Sequence, residues 1–188
     1  ALATALCWPA AVMIFEAAGR RMGSLAVNLL RLTVSFVLLC LLGAVARGRW
    51  LPSDAGVHAW IWLSLSGFCG LAAGDLCLFR AFVMVGARIS MLVMSFAPAL
   101  SAMISYLFLG EVLSALQLAG MTLTTAGICI VVLQRGTTPE GGRRYPALGL
   151  LLALGGALGQ AGGMVLSKIG MGDYNPFAAN QIRILSGL

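Results

Sequence analysis

The sequence predicts an all-α integral membrane protein, a multi-helix transmembrane bundle, and three observations carry that reading. Hydrophobic residues make up 60% of the 188 positions, and the mean hydropathy is +0.98. Charged residues make up only 10%, against about 25% in a soluble domain. A soluble fold of this length could not hide so much apolar surface, because short chains leave a large share of their area exposed. The apolar residues also run continuously instead of alternating, which excludes a closed β-barrel. The low charge argues against a disordered chain. The 24 glycines show no three-residue period, and the five cysteines lie scattered in apolar runs without a CxxC spacing. That pattern excludes collagen-like and disulfide-scaffold classes.

A membrane-spanning helix needs ~20 mostly apolar residues, and this rule sets each element in turn. The first span covers Ala1–Ala18 and ends at Gly19-Arg20-Arg21. The second runs from Ser24 to Ala46 and stops at Arg47-Gly48-Arg49. Trp50–Val57 contains Pro52, Asp54 and Gly56 and reads as a surface loop. The third span is expected over His58–Val85, the fourth over Ile89–Leu109 and the fifth over Leu113–Gln134. Arg135–Pro146 is the longest polar linker. A sixth span follows over Ala147–Lys168, and a seventh begins near Pro176, which suits a first helical turn because its missing N–H costs nothing there.

The chain also repeats itself. One constant offset places Asn28 on Asn180, Arg31 on Arg183 and Ala26 on Ala178. The same offset places Ala1, Leu2, Ala5 and Leu6 on Ala153, Leu154, Ala157 and Leu158. Ala and Leu matches are cheap in a membrane protein, but an Asn-x-x-Arg seated just inside the second helix of each copy is not. The repeat unit then holds five helices, and an odd number forces the second copy to enter the membrane inverted, a recurring transporter design. The expected organisation is a first repeat over 1–134 with its start truncated, a linker over 135–146, and the start of a second repeat over 147–188. By this reading the chain covers about six and a half of ten helices. Such a piece should be unstable alone or pair with a second copy of itself.

The net charge of +6 raises nucleic acid as a partner, but the basic residues are spread along the chain and form no patch. They flank apolar spans, as lipid-facing topology requires, and nucleic-acid binding is excluded on that ground. Arg20, Arg21, Arg88, Arg135, Arg143 and Arg144 fall on one side, against Arg47, Arg49 and Lys168 on the other. This bias favours an outside N-terminus.

The third to fifth spans carry a set of elements in fixed order. These are Gly67 and Gly70, Gly74-Asp75, Phe79-Arg80-Ala81, Val85-Gly86-Ala87 and Ala97-Pro98, then Leu107-Phe108-Leu109-Gly110-Glu111, Gln117, Gly120 and Ala126-Gly127. In these the chain resembles the EamA-like family of the drug/metabolite transporter superfamily. The resemblance implies a ten-helix inner-membrane carrier built of two inverted five-helix repeats with both ends in the cytoplasm. It implies alternating access and transport, with export the expected direction, of small metabolites, amino acids or drugs. A non-transporting membrane scaffold or regulatory subunit is the alternative. A membrane-embedded enzyme is a weaker one, because there is a single His and no nucleophile–base pair. The sequence holds no metal cluster and no nucleotide-binding loop, so neither a metal nor another cofactor is expected.

Ionisable groups inside a bilayer cost ~2.5–3.5 kcal/mol each, so they mark pathways or are paired. At 1.5 Å per residue, Glu16 and Arg80 lie roughly 5 Å from the face where the second span begins, Arg31 about 10 Å and Asp75 about 15 Å. Asp75 and Arg31 are the leading candidates for a pair or relay on a cavity wall. There Asp75 would bind a proton or cationic group, and Arg31 would neutralise it or hold a substrate carboxylate. The bland alternative is a structural ion pair locking two helices. Arg80, five residues beyond Asp75, points about 140° away and snorkels instead. Gln160, deep in the sixth span, is a cavity candidate; Trp8, opposite it in the repeat, lines the cavity or sits in an interfacial belt. Asn28, Asn180 and Arg183 belong to the repeated motif, and the two asparagines can serve as glue between helices. Glu16 is a weaker pathway candidate. Pro98 should kink the fourth span and free the Met94 carbonyl beside Ser95, shaping a cavity or a gate. Gly155, Gly159 and Gly163, with Gly70 and Gly74, promise close helix crossing, and Gly120, Thr124 and Gly127 form a further small-residue stripe. Glu111 reads as a helix cap and His58 as interfacial.

Overall fold

The computed structural model describes residues 2–110, 114–134 and 147–188; the side chains at 2–6, 8, 9, 128, 129 and 131–134 are outside that description. The linker over 135–146, Glu111 and the side chain of Trp8 therefore lie outside the described residues. Every secondary-structure element among the described residues is a helix. α1 is Leu2–Met22 and α2 is Ser24–Arg47. α3 is Val57–Gly67, continued by a π-helical segment Phe68–Gly74 into α4, Asp75–Val85. α5 is Ala87–Met94, α6 is Ala97–Leu109 and α7 is Ala115–Gln134. α8 is Ala147–Met171 and α9 is Pro176–Gly187.

Among the described residues, four stretches are long and apolar enough to cross a membrane: Ser24–Arg47, Val57–Val85, Ala87–Leu109 and Ala147–Met171. The turns between helices follow from glycine. Gly23, Gly48, Gly86, Gly110 and Gly172 all take positive φ, a conformation that other residues reach only with strain. This explains why α1 runs past Arg20-Arg21 to Met22: the first residue that can reverse the chain is Gly23, with φ of 87°. At α9 the Asn175 side chain accepts from the Phe177 and Ala178 N–H groups, and Pro176 occupies the first turn.

Two of the spans are not simple α-helices. The third widens into a π segment over Phe68–Gly74, and the fourth breaks at Ser95–Phe96 between α5 and α6. Pro98 sits in the first turn of α6 and cannot donate to the Met94 carbonyl, while the Ser95 hydroxyl donates to the Leu92 carbonyl at 2.6 Å. The expected kink is thus a tightened turn at Ser95–Phe96, just before the proline, where the Phe96 N–H donates to the Val93 carbonyl.

α8 is the axis of the bundle and packs against α3, the π segment, α4, α5 and α6. It can do so because its inward face is almost without side chains. Ala153, Ala157 and Ala161 are fully buried, and Gly149, Gly156, Gly163 and Gly170 are buried with them. The glycines of α8 and the π segment meet backbone to backbone: a methyl placed on Gly159 would lie 2.7 Å from the Gly74 Cα, and one on Gly163 would lie 3.0 Å from the Gly70 Cα. Gly155 has only the Cys77 side chain near it, at 3.8 Å, so Gly156 takes its place on the packing face. Gly120 and Gly127 of α7 meet no heavy atom within 4 Å, so that stripe makes no crossing among the described residues. α9 lies against α2 and α3, and α1 against α2, α4 and α5. The outward faces are apolar, as with the exposed Leu30, Val34, Val37, Leu38 and Leu41 of α2. Such a surface is stable only against lipid.

Candidate functional site

The deepest charge in the bundle is Asp75, which is 2% exposed. Its position follows from the π segment that precedes it. A π turn holds an extra residue, which rotates every following side chain by about 100° relative to an uninterrupted α-helix. Asp75, at the junction, thereby meets polar groups from two other helices. Arg31 Nη2 of α2 donates to Asp75 Oδ2, and Gln160 Nε2 of α8 donates to Asp75 Oδ1 at 2.6 Å. Both carboxylate oxygens are therefore bonded, one by a cation and one by a neutral amide. The same Arg31 nitrogen reaches Asn28 Oδ1 at 3.4 Å, and Asn28 Nδ2 donates at 3.0 Å to the Leu71 carbonyl inside the π segment. Asn28 thus serves both as glue between α2 and the π segment and as a support for Arg31.

Arg183 of α9 approaches from the other side, with a terminal nitrogen 3.7 Å from where a Gly70 methyl would stand. It acts electrostatically on Asp75 without a hydrogen bond to it. The Nε atoms of Arg31 and Arg183 are buried donors that find no acceptor among the described residues.

Beside this network lies a cavity of about 180 Å³. Arg31, Asp75 and Gln160 form its polar wall, and Val12, Phe15, Leu78, Phe79, Phe82, Met94 and Met164 form the apolar remainder. The Arg31 guanidinium stands 5.4 Å from the Phe79 ring centroid, within the range of a cation–π contact. Phe15, Phe79 and Phe82 pack edge to face, with centroids 5.5 and 5.8 Å apart. The break before Pro98 abuts this space through Met94.

Other sequence candidates stand elsewhere. Glu16 Oε2 accepts the Ala87 N–H at 3.0 Å, and its other oxygen pairs with Arg20 at 2.9 Å. It caps the start of α5 and ties α1 to it, away from the cavity wall. Asn180 is half-buried on α9, outside the Asp75 network, and Ser95 spends its hydroxyl on its own helix. Arg80 is exposed on the opposite face of α4 from Asp75. His58 is exposed, with its ring 6.2 Å from that of Trp62.

Three groups carry structure that the sequence reading did not single out. Ser66 is fully buried and donates to the Gly163 carbonyl at 2.6 Å. Gln181 is 2% exposed and donates to the Leu39 and Trp50 carbonyls at 3.0 and 3.2 Å. Arg47, Asp54 and Tyr174 join the loop after α2 to the turn before α9: Arg47 pairs with Asp54 at 2.6 Å, and the Tyr174 hydroxyl donates to Asp54 at 2.9 Å. That hydroxyl bond holds the Asp54 carboxyl below its usual value, while burial and the same bond push the Tyr174 phenol up. A small buried serine, an isolated Gln in an apolar run and charged loop residues each look ordinary in sequence, and only packing distinguishes them.

No curated protein and no solved structure matches the chain. A family model does, over residues 1–133, a stretch that contains Arg31, Asp75 and the whole path from α1 to α7 except its last residue. With its multiple apolar spans and its match to that model, the chain is a multi-pass membrane protein that belongs to the EamA-like transporter family.

Proposed function

We propose that the protein is a secondary carrier that moves a small metabolite, amino acid or drug across an inner membrane, in the export direction, by alternating access between two inverted repeats. The first repeat is residues 1–134, and the second begins at 147 beyond the linker. The observation that carries this reading is the bonding of Asp75. One of its oxygens is held from α2 within the first repeat and the other from α8 in the second, on the wall of a cavity. A group held from both halves has its surroundings changed when the halves rock. A purely structural ion pair would not need an open space beside it.

The arrangement of α2 and α9 supports the inversion. Gln181 neighbours Gly43, and Gly187 neighbours Leu32, so α9 runs antiparallel to α2. Arg31 and Arg183 are equally far from the starts of their helices, Ser24 and Pro176. They therefore reach the midplane from opposite faces, as an in-plane two-fold relation requires.

In this scheme Asp75 takes up and releases a proton, or holds the substrate's positive group, while Arg31 alternates between Asp75 and the substrate. Gln160 keeps Asp75 oriented in both states. Asp75→Asn retains the shape and the bond from Gln160 but removes the charge. In proteoliposomes made with the full-length protein, flux of amino acids and cationic drugs should fall to background with normal membrane insertion. Wild-type flux in that variant would sink the reading.

A further inference from the structure

The charge count around Asp75 is not balanced, although only Arg31 of its two arginines lines the cavity, and the imbalance bears on what the site takes. Arg31 and Arg183 bring two positive charges to one carboxylate, Asp75, and both arginines keep a buried Nε–H with no acceptor among the described residues. Buried donors without acceptors are costly, and an unbalanced buried cation more so. What the site lacks is therefore an anion with acceptor oxygens, and not a cation. The space next to Arg31 says what is attached to it. At about 180 Å³ it is close in size to an apolar cavity that accepts a benzene ring. Its walls are Phe15, Phe79, Phe82 and aliphatic groups, with the polar residues gathered on one side.

We propose that the ligand of this cavity is a small monocarboxylate with an apolar body no larger than a phenyl ring. Its carboxylate pairs with the Arg31 guanidinium, and its body lies against the three phenylalanines. Asp75 is then the internal anion that keeps Arg31 in place when no ligand is bound, and the arriving carboxylate competes with it. This assignment rests on the carrier reading for its role in transport, but binding can be measured without flux.

The test uses three probes with the same body and different charge: phenylacetate, 2-phenylethanol and 2-phenylethylamine. Their affinities for the full-length protein in nanodiscs are measured by titration calorimetry. The carboxylate should bind at least about tenfold more tightly than the alcohol or the amine, as one charge-assisted bond in a partly buried site provides. Arg31→Gln should remove that preference, and Arg31→Lys should retain part of it. Val12→Phe, which leaves every charge in place, should abolish phenylacetate binding by filling the cavity. Equal or tighter binding of the amine would overturn the proposal, as would an undiminished preference in Arg31→Gln or unchanged affinity in Val12→Phe. Flux of an amine without phenylacetate binding would leave the carrier intact and remove this ligand class. Phenylacetate binding without flux of any solute would do the reverse.

Discussion

Adding one methyl group at Gly159 should destabilise the bundle more than the same change three residues later. A Cβ on Gly159 would lie 2.7 Å from the Gly74 Cα, 2.8 Å from the Cys69 carbonyl oxygen and 3.2 Å from the Gly74 nitrogen. All three are backbone atoms, so no side chain can rotate out of the way. Overpacking of this kind costs about 1–3 kcal/mol, offset by up to about 1 kcal/mol because alanine is the better helix former. The net loss for Gly159→Ala therefore spans about 0–3 kcal/mol, or up to roughly 12 °C in melting temperature for a chain of this size. Gly162→Ala is the control, because a Cβ there meets nothing within 4 Å. It should be neutral or slightly stabilising. The assay is thermal unfolding of the detergent-purified protein, followed by fluorescence-detected size exclusion. The same variant should also reduce transport, since Gln160 follows directly and is carried away from Asp75 when α8 moves out. If Gly159→Ala melts at or above Gly162→Ala, the backbone-to-backbone crossing is not what holds α8 in place.

Other expectations follow from the same contacts. Gln181→Ala strips the Leu39 and Trp50 carbonyls of their shared donor and should cost about 1–3 kcal/mol in the same melting assay. Glu16→Gln keeps an acceptor for the Ala87 N–H but removes the charge at the start of α5; a loss of about 0.3–1 kcal/mol that shrinks with added salt is expected. Asp54 has its pKa lowered by the Tyr174 hydroxyl. The bond's contribution is therefore complete above the unfolded value of 3.8 and is lost as pH falls through the lower folded one. Tyr174→Phe should lower the melting temperature at neutral pH, and the gap from wild type should close below pH 3.8. A gap that persists in acid would mean the hydroxyl acts through packing alone.

The span pattern was legible because lipid imposes a simple rule: runs of apolar residues must be long, and what interrupts them must be a turn. The glycines and arginines at 19–23, 47–49 and 86–88 mark those turns in the sequence. Asp75, Arg31 and Gln160 were legible as candidates for a related reason, since polar groups in an apolar run are conspicuous and costly. The pairing of Asp75 with Arg31 was legible in the same way, but the closure of Gln160 on the other carboxylate oxygen was not, because the π segment sets it and no residue pattern in Phe68–Gly74 announces that a turn will hold an extra residue. The glycine stripe shows the same limit. Spacing alone selects Gly155, Gly159 and Gly163, whereas the actual crossing face combines Gly156, Gly159 and Gly163 with a heptad of small residues. Glu16, a weaker pathway candidate in the sequence, has a partner that the sequence could not show, because the Ala87 N–H lies on another helix.

The π segment has a consequence for the kinds of mutation the protein can absorb. Its extra residue means that the third span carries one more amino acid than an α-helix of equal height would need. A single-residue deletion within Phe68–Gly74 would return the span to regular α-helix without shortening it. The protein would still insert, and everything beyond the deletion, beginning with Asp75, would keep nearly its present height and direction, because the deletion removes the residue that the wide turn absorbs. An in-frame codon loss at this one place should therefore be tolerated, with Asp75 still facing Arg31 and Gln160, where elsewhere in a span it would turn every following side chain by about 100°.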